Sequence, residues 1–219
     1  VDIVECESTR CKEELLENTP VNIIFEGEST EAIIKSIEYK EVKYCPFTKL
    51  YRRELIEKVP FLEGVIYEDV YTGINLLKNI RKMIAVDLKG YYYRVRPNST
   101  MTKSFNEKNL DIFPIGKKLI ESFDDNEYLL PYIGYFIFYL SLSHYQRDGI
   151  TKVSPYFDMY ENFIRDCAFL AKQSKEVVSK YRLLRIYLMA PKYFITITHP
   201  LYRFIYKRWS NFRMFLRKQ

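Results

Sequence analysis

Histidine is nearly absent: the 219 residues contain two, His144 and His199, and the four cysteines, Cys6, Cys11, Cys45 and Cys167, form no CxxC pair and no cluster with either histidine. That spacing excludes the common zinc and iron–sulfur ligand sets. It leaves scattered reduced thiols rather than a disulfide framework, which points to a cytoplasmic compartment. Glycine is scarce as well, at seven residues, fewer than an intact Rossmann-like enzyme with its tight turns is expected to use. No stretch reaches the roughly eighteen uncharged apolar residues of a membrane-spanning helix, and no secretory leader, internal repeat or low-complexity segment is visible. Acid is missing from one end altogether, for no Asp or Glu follows Glu176. Ten of the 34 Lys and Arg lie in that acid-free end, so the residues up to Glu176 carry 24 against 28 acids, and the formal +6 belongs to the tail.

What is present is apolar and aromatic enough to fold: 47% of residues are hydrophobic, and 20 Tyr and 15 Phe provide large side chains for a core. V-D-I-V-E-C-E at the start alternates like a strand, as if continued from a longer sheet, and V-N-I-I-F reads as a second strand. G-E-S-T then punctuates the chain before the helical E-A-I-I-K-S-I, with Ser29 or Thr30 as its expected cap. Val42 to Phe47 is a third strand candidate, marked as an edge or strand end by Pro46. Met83–Asp87 and Tyr91–Arg96 predict a hairpin around D-L-K-G, since both arms alternate and Gly90 supplies turn flexibility. In the second arm Tyr91, Tyr93 and Val95 share one face, while Tyr92, Arg94 and Arg96 share the other. Two guanidiniums there fit either a solvated strand face or a grip on a diphosphate, because Arg forks match phosphate oxygens.

The chemistry centres on the stretch from Lys49 to Asp69. A basic K-L-Y-R-R-E-L leads through a turn containing Pro60 and Gly64 to adjacent carboxylates, Glu68 and Asp69. Val70, Ile74, Leu77, Ile80 and Ile84 follow at the spacing of one helix face, which puts the two acids at a helix N-terminus. Free N–H groups and the positive dipole end there would keep at least one carboxylate ionised, the state a general base needs; first-turn acids that only complement the dipole have the same spacing. Lys49 reads as a phosphate or acceptor anchor near the next helix start, or as a solvated surface lysine.

K-L-Y-R-R-E-L, F-L-E-G-V-I-Y-E-D and Y-Y-Y-R-V-R-P-N-S-T, taken together over residues 1 to 105, resemble the second half of bacterial family 2 glycosyltransferases, which have the GT-A fold. The resemblance implies that Asp69 is the base that deprotonates an acceptor hydroxyl. It further implies that Glu68, Lys49, Arg94, Arg96 and Ser99 contact substrates, the loop after Arg96 lying near the donor. It implies a nucleotide-sugar donor, a glycan or lipid-linked acceptor of the cell surface, and an inverting transfer. The Asp-x-Asp metal motif and the nucleotide-binding half that precede these motifs in the family are absent. The divalent Mg or Mn ion is therefore expected on that other half and not in this chain. The expected fold is α/β: an incomplete GT-A half over residues 1–105, truncated at its N-terminus, then a helical subdomain over 106–190 and a basic aromatic tail over 191–219.

The helical part is read from Asn109–Phe123, Leu129–Gln146, Pro155–Gln173 and Glu176–Met189, the second being apolar nearly all round and carrying His144 as a packed residue. In the tail, Leu201, Phe204, Ile205, Phe212, Phe215 and Leu216 tend to one helical side and Arg203, Lys207, Arg213 and Arg217 away from it. Aromatic amphipathicity with only positive charge suits an anionic membrane surface at the inner face of the cell membrane, ahead of a protein partner and well ahead of nucleic acid. Asn98-Ser99-Thr100 spells a glycosylation acceptor, against which the cysteine usage argues. The contrasting class is a non-catalytic basic helical binding module in which Glu68 and Asp69 only complement a helix dipole.

Overall fold

The computed structural model describes residues 1–10, 12–15, 20–94, 105–191 and 194. Arg96, Ser99 and the tail from 195 onward lie outside the described residues. The chain is mixed α/β and divides into two compact units, Val1–Ile133 and Gly134–Gln219.

The first unit is built on β1 (Ile3–Thr9), β2 (Ile23–Gly27), β3 (Lys49–Tyr51) and β4 (Met83–Tyr92), which form one sheet in the order β2-β4-β1-β3. The two central strands are parallel, and each carries an antiparallel edge strand. Alternation in β1 works as the sequence predicts: Ile3 and Glu5 are buried and Val4 between them is exposed. The parallel β1–β4 pair needs a crossover, which α1 (Ser29–Glu38), α2 (Arg53–Lys58) and α3 (Glu68–Lys78) supply. Ala32, Ile33 and Ile37 of α1, with Val70, Ile74 and Leu77 of α3, join Ile3, Met83 and Ala85 in the core. Each fully buried aliphatic side chain there stabilises by about 1.5–3 kcal/mol relative to exposure.

Four local expectations are corrected. Met83–Tyr92 is one continuous strand rather than a hairpin. D-L-K-G is taken up by a bulge: Glu5 faces Ala85 and Glu7 faces Lys89, so two residues of β1 span four of β4. Gly90 does not turn the chain but packs against the neighbouring strand, where a Cβ would lie 2.9 Å from the Cys6 Sγ. Val42–Phe47 is no strand, because its backbone groups are satisfied otherwise. The Lys43 N–H donates to Glu5, while the Lys43 and Cys45 carbonyls accept from the Lys49 ammonium at 2.6 and 2.8 Å. Lys49 accordingly sits in β3, opposite Glu5, and not at a helix start. Ser29 does not cap α1; Glu28 holds that position, and the Ser29 hydroxyl donates to the Lys78 carbonyl at the end of α3.

Glu5 and Lys49 form an ion pair at 3.2 Å with side chains only 4% and 2% exposed. Asp2, just before β1, accepts from the Arg81 N–H at 2.8 Å and from its guanidinium at 3.1 Å, and pairs with Arg52. After β4, a 3-10 turn (Glu107–Asp111) capped by Asn106 and α4 (Ile112–Glu121) complete the unit, α4 lying against α3.

The second unit holds most of α5 (Leu130–Arg147) with α6 (Phe157–Ala171), α7 (Lys175–Lys180) and α8 (Arg182–Met189). Phe136, Phe138, Tyr160, Ile164, Cys167 and Leu184 form its core. The one helix expected over Glu176–Met189 breaks at Tyr181, whose extended backbone lets its ring stack 3.7 Å from Tyr135. His144 is packed as expected: burial and nearby Arg147 push it down to about 3, which keeps it neutral. Among the described residues no helix is long and apolar enough to cross a membrane.

Two outcomes follow from the charges beneath the sheet edge. Lys49→Met should lower unfolding free energy in urea by about 3–5 kcal/mol, since it strands Glu5 without its cation, whereas Glu5→Leu with Lys49→Met should lose much less. Asp2 is depressed from 3.8 to about 2, first by the Arg81 hydrogen bonds. Because the folded value lies below the unfolded one, its contribution is complete above about pH 4 and is lost as pH falls towards 2; Asp2→Asn should flatten that acid limb in pH-resolved denaturation.

Candidate functional site

The two carboxylates singled out from the sequence do open α3, but the chain reaches them through an unusual approach. Gly64 turns with φ 75°, and Tyr67, immediately before Glu68, has φ 68°. The first is a conformation glycine adopts freely; the second is strained for a tyrosine and persists only where surroundings enforce it. The 3-10 turn enforces it here. Asp111 accepts from the Ile66 N–H at 2.9 Å, the Asn109 amide donates to the Tyr67 hydroxyl at 3.1 Å, and the Lys108 ammonium donates to the Gly64 carbonyl at 2.7 Å. These bonds aim the first turn of α3.

Asp69 is half-buried, and its Oδ1 accepts from the Val70 N–H at 2.9 Å. Burial first, and the adjacent Glu68 second, raise its carboxyl above the ordinary 3.8, outweighing the backbone hydrogen bonds that lower it. Asp69 is therefore a stronger base than a free aspartate, and the helix start moderates its proton affinity without setting it.

Its surroundings come from the loop between α1 and β3. Gly73, one turn into α3, lies so close to that loop that a Cβ would stand 1.9 Å from the Tyr44 carbonyl oxygen. The Tyr39 hydroxyl and the Cys45 thiol are 3.3 Å apart. Burial raises both groups, and the charge of Asp69 raises each further, so the carboxylate is electrostatically coupled to the loop. Tyr39 and Cys45 line a cleft of about 240 Å³, together with Glu5, Glu7, Glu41 and Phe47 among others. Asp69 is not one of its lining residues.

The other sequence-derived positions are more dispersed. Glu68 sits half-buried beside Asp69 in the first turn. Lys49 is buried with its three donors taken by Glu5 and the Lys43 and Cys45 carbonyls, so in this structure it holds the loop. Arg94 is exposed just past the end of β4. Among the described residues, no group of three or more His, Cys, Asp or Glu side chains could hold a metal ion. Glu5, Tyr39 and Cys45 were not read from the sequence as site residues. The alternation of V-D-I-V-E-C-E carries a usable signal for one of them: it puts Glu5 on the face of Ile3, and a carboxylate on a core face requires a cation nearby.

No family model and no curated protein matches the chain.

The close approach at Gly73 tests whether α3 and the loop are one device. Alanine would gain about 1 kcal/mol in helix propensity. The clash with a backbone carbonyl exceeds that gain, so Gly73→Ala should destabilise the protein by about 1–3 kcal/mol net in urea unfolding. Stability equal to or above that of the parent would show that the contact is slack.

Proposed function

We propose that this chain is the acceptor-side half of a GT-A glycosyltransferase that moves a sugar from a nucleotide-sugar to a hydroxyl of a cell-surface glycan, with Asp69 as general base. The observation that carries the reading is Asp69 itself: a half-buried carboxylate of raised basicity at the start of α3, behind a strained Tyr67. Strain and raised basicity at one helix start exceed what a dipole-complementing acid requires. The parallel β1–β4 pair with its crossover is compatible with an α/β sheet of that type.

Asp69 takes the proton of the acceptor hydroxyl as that oxygen attacks the anomeric carbon. The bond from that carbon to the donor's diphosphate breaks, and the diphosphate leaves with its electron pair. Attack from the face opposite the leaving group inverts the centre. Arg94, with Arg96, supplies positive charge for the departing diphosphate. Glu68 orients the acceptor or supports the helix start. A divalent cation, when bound by the donor-side half, would neutralise diphosphate charge.

In the full-length gene product Asp69→Asn should lower kcat about 10²- to 10⁴-fold while leaving donor affinity nearly unchanged, and Glu68→Gln should be milder. Stability moves the other way. Since the folded carboxyl titrates above 3.8, its ionisation opposes folding at neutral pH, and the neutral amide, which can still accept from Val70, should leave the protein at least as stable at pH 7. A folded Asp69→Asn enzyme that turns over within a few-fold of the parent would overturn the assignment.

A further inference from the structure

Parallel strands commonly present ligands beyond their carboxyl ends, and β1 and β4 both end on the same side of the first unit, where the Tyr93 N–H donates to the Thr9 carbonyl. Three aromatic rings meet there. Phe47, in the 3-10 turn Pro46–Thr48, has its ring 5.1 Å from that of Tyr91 and 5.5 Å from that of Tyr93. Tyr91 lies near the end of β4 and Tyr93 just past it, on the same side by period two. All three stay substantially open to solvent, at 38% for Phe47, 36% for Tyr91 and 38% for Tyr93. Each ring offers a large apolar area, and the three together form one contiguous aromatic patch at the surface.

Phe47 also lines the 240 Å³ cleft, which makes the rings and the cleft one continuous surface. Of the charged side chains lining that cleft, Glu5, Glu7 and Glu41 are acids and only Lys43 is basic. Glu5 is committed to Lys49, and Glu41 pairs with Lys35 at 3.3 Å, leaving Glu7 exposed near Ser8. A cleft of that sign repels a phosphate chain. Carboxylate and hydroxyl oxygens accept hydrogen bonds, and so suit a ligand rich in O–H donors. A pyranose offers both halves of the match: O–H groups around its rim, and a face of C–H groups whose slight positive charge complements the negative face of an aromatic ring. Arg10 lies over the Tyr93 ring at 5.9 Å, a contact that steadies the ring.

We propose that Phe47, Tyr91 and Tyr93 form a stacking shelf for a neutral oligosaccharide and that the adjoining cleft takes one of its sugars through Glu7 and Ser8. The binding site stands on its own geometry. Its role as the acceptor subsite rests on the transferase reading.

Saturation-transfer NMR on the chain with maltohexaose, cellohexaose and chitohexaose, each without donor, tests the shelf directly. At least one hexasaccharide should receive saturation at its ring C–H protons. Its affinity should fall about five- to tenfold in Tyr93→Ala and in Phe47→Ala, with a smaller loss in Glu7→Gln. Tyr93 and Glu7 are exposed, so their variants report on binding even if Phe47→Ala unfolds. Absence of transfer to all three sugars, or unchanged affinity in Tyr93→Ala, overturns the proposal, as does stronger binding of oligouridylate than of any sugar. A failed base assignment with sugar binding retained removes only the catalytic reading, and a failed shelf with Asp69 essential for turnover removes only this one.

Discussion

A single pair of charges, Glu5 and Lys49, holds the site end of the first unit together. They face each other on one rung of β1 and β3, both side chains buried. Burial pushes Glu5 up and Lys49 down, the direction expected when desolvation outweighs mutual attraction. The pair is therefore a poor source of stability and a strong source of specificity. A shift of β3 by one residue would turn Leu50 inward and leave Glu5 buried without a cation, so the register is locked. The same two side chains bind the Lys43 N–H and the Lys43 and Cys45 carbonyls, and the loop has no need of a ladder.

This explains which elements were legible in the sequence. β1 and α1 follow from periodicity, because each has one face on the core and one in water; α3 follows from its apolar series although none of its residues is exposed, and β2 from its apolar run. Glu68 and Asp69 were placed at the start of α3 by the apolar series from Val70. The segment Val42–Phe47 has the composition of a strand, yet its hydrogen bonds go to side chains distant in sequence, and no local pattern encodes that. D-L-K-G has the composition of a turn, yet it lies within β4, with Gly90 packed against Cys6 of the neighbouring strand. In both places local propensity was overridden by a tertiary contact. The break at Tyr181 is of the same kind, a stacked ring on Tyr135 in place of a continued helix.

The candidate site was legible in part for the same reason. Asp69 could be located by helix spacing, but its raised basicity comes from burial and from Glu68, and burial is a property of the fold. Lys49 could be noticed as a cation before a helix, although its partner lies 44 residues earlier in the chain, on another strand. The aromatic shelf was half visible: period two put Tyr91 and Tyr93 on one face, but Phe47 reaches them across the sheet from a turn.

Cys45 gives the loop between α1 and β3 a built-in clock. Its thiol is buried beside the Tyr39 hydroxyl, and burial keeps it in the protonated, unreactive form. The thiol lines the cleft but is only 8% exposed, so an alkylating reagent meets little of it while the loop is in place. The rate at which this one sulfur is consumed therefore reports on local opening of that wall, which the Lys49 ammonium opposes by holding the Cys45 carbonyl.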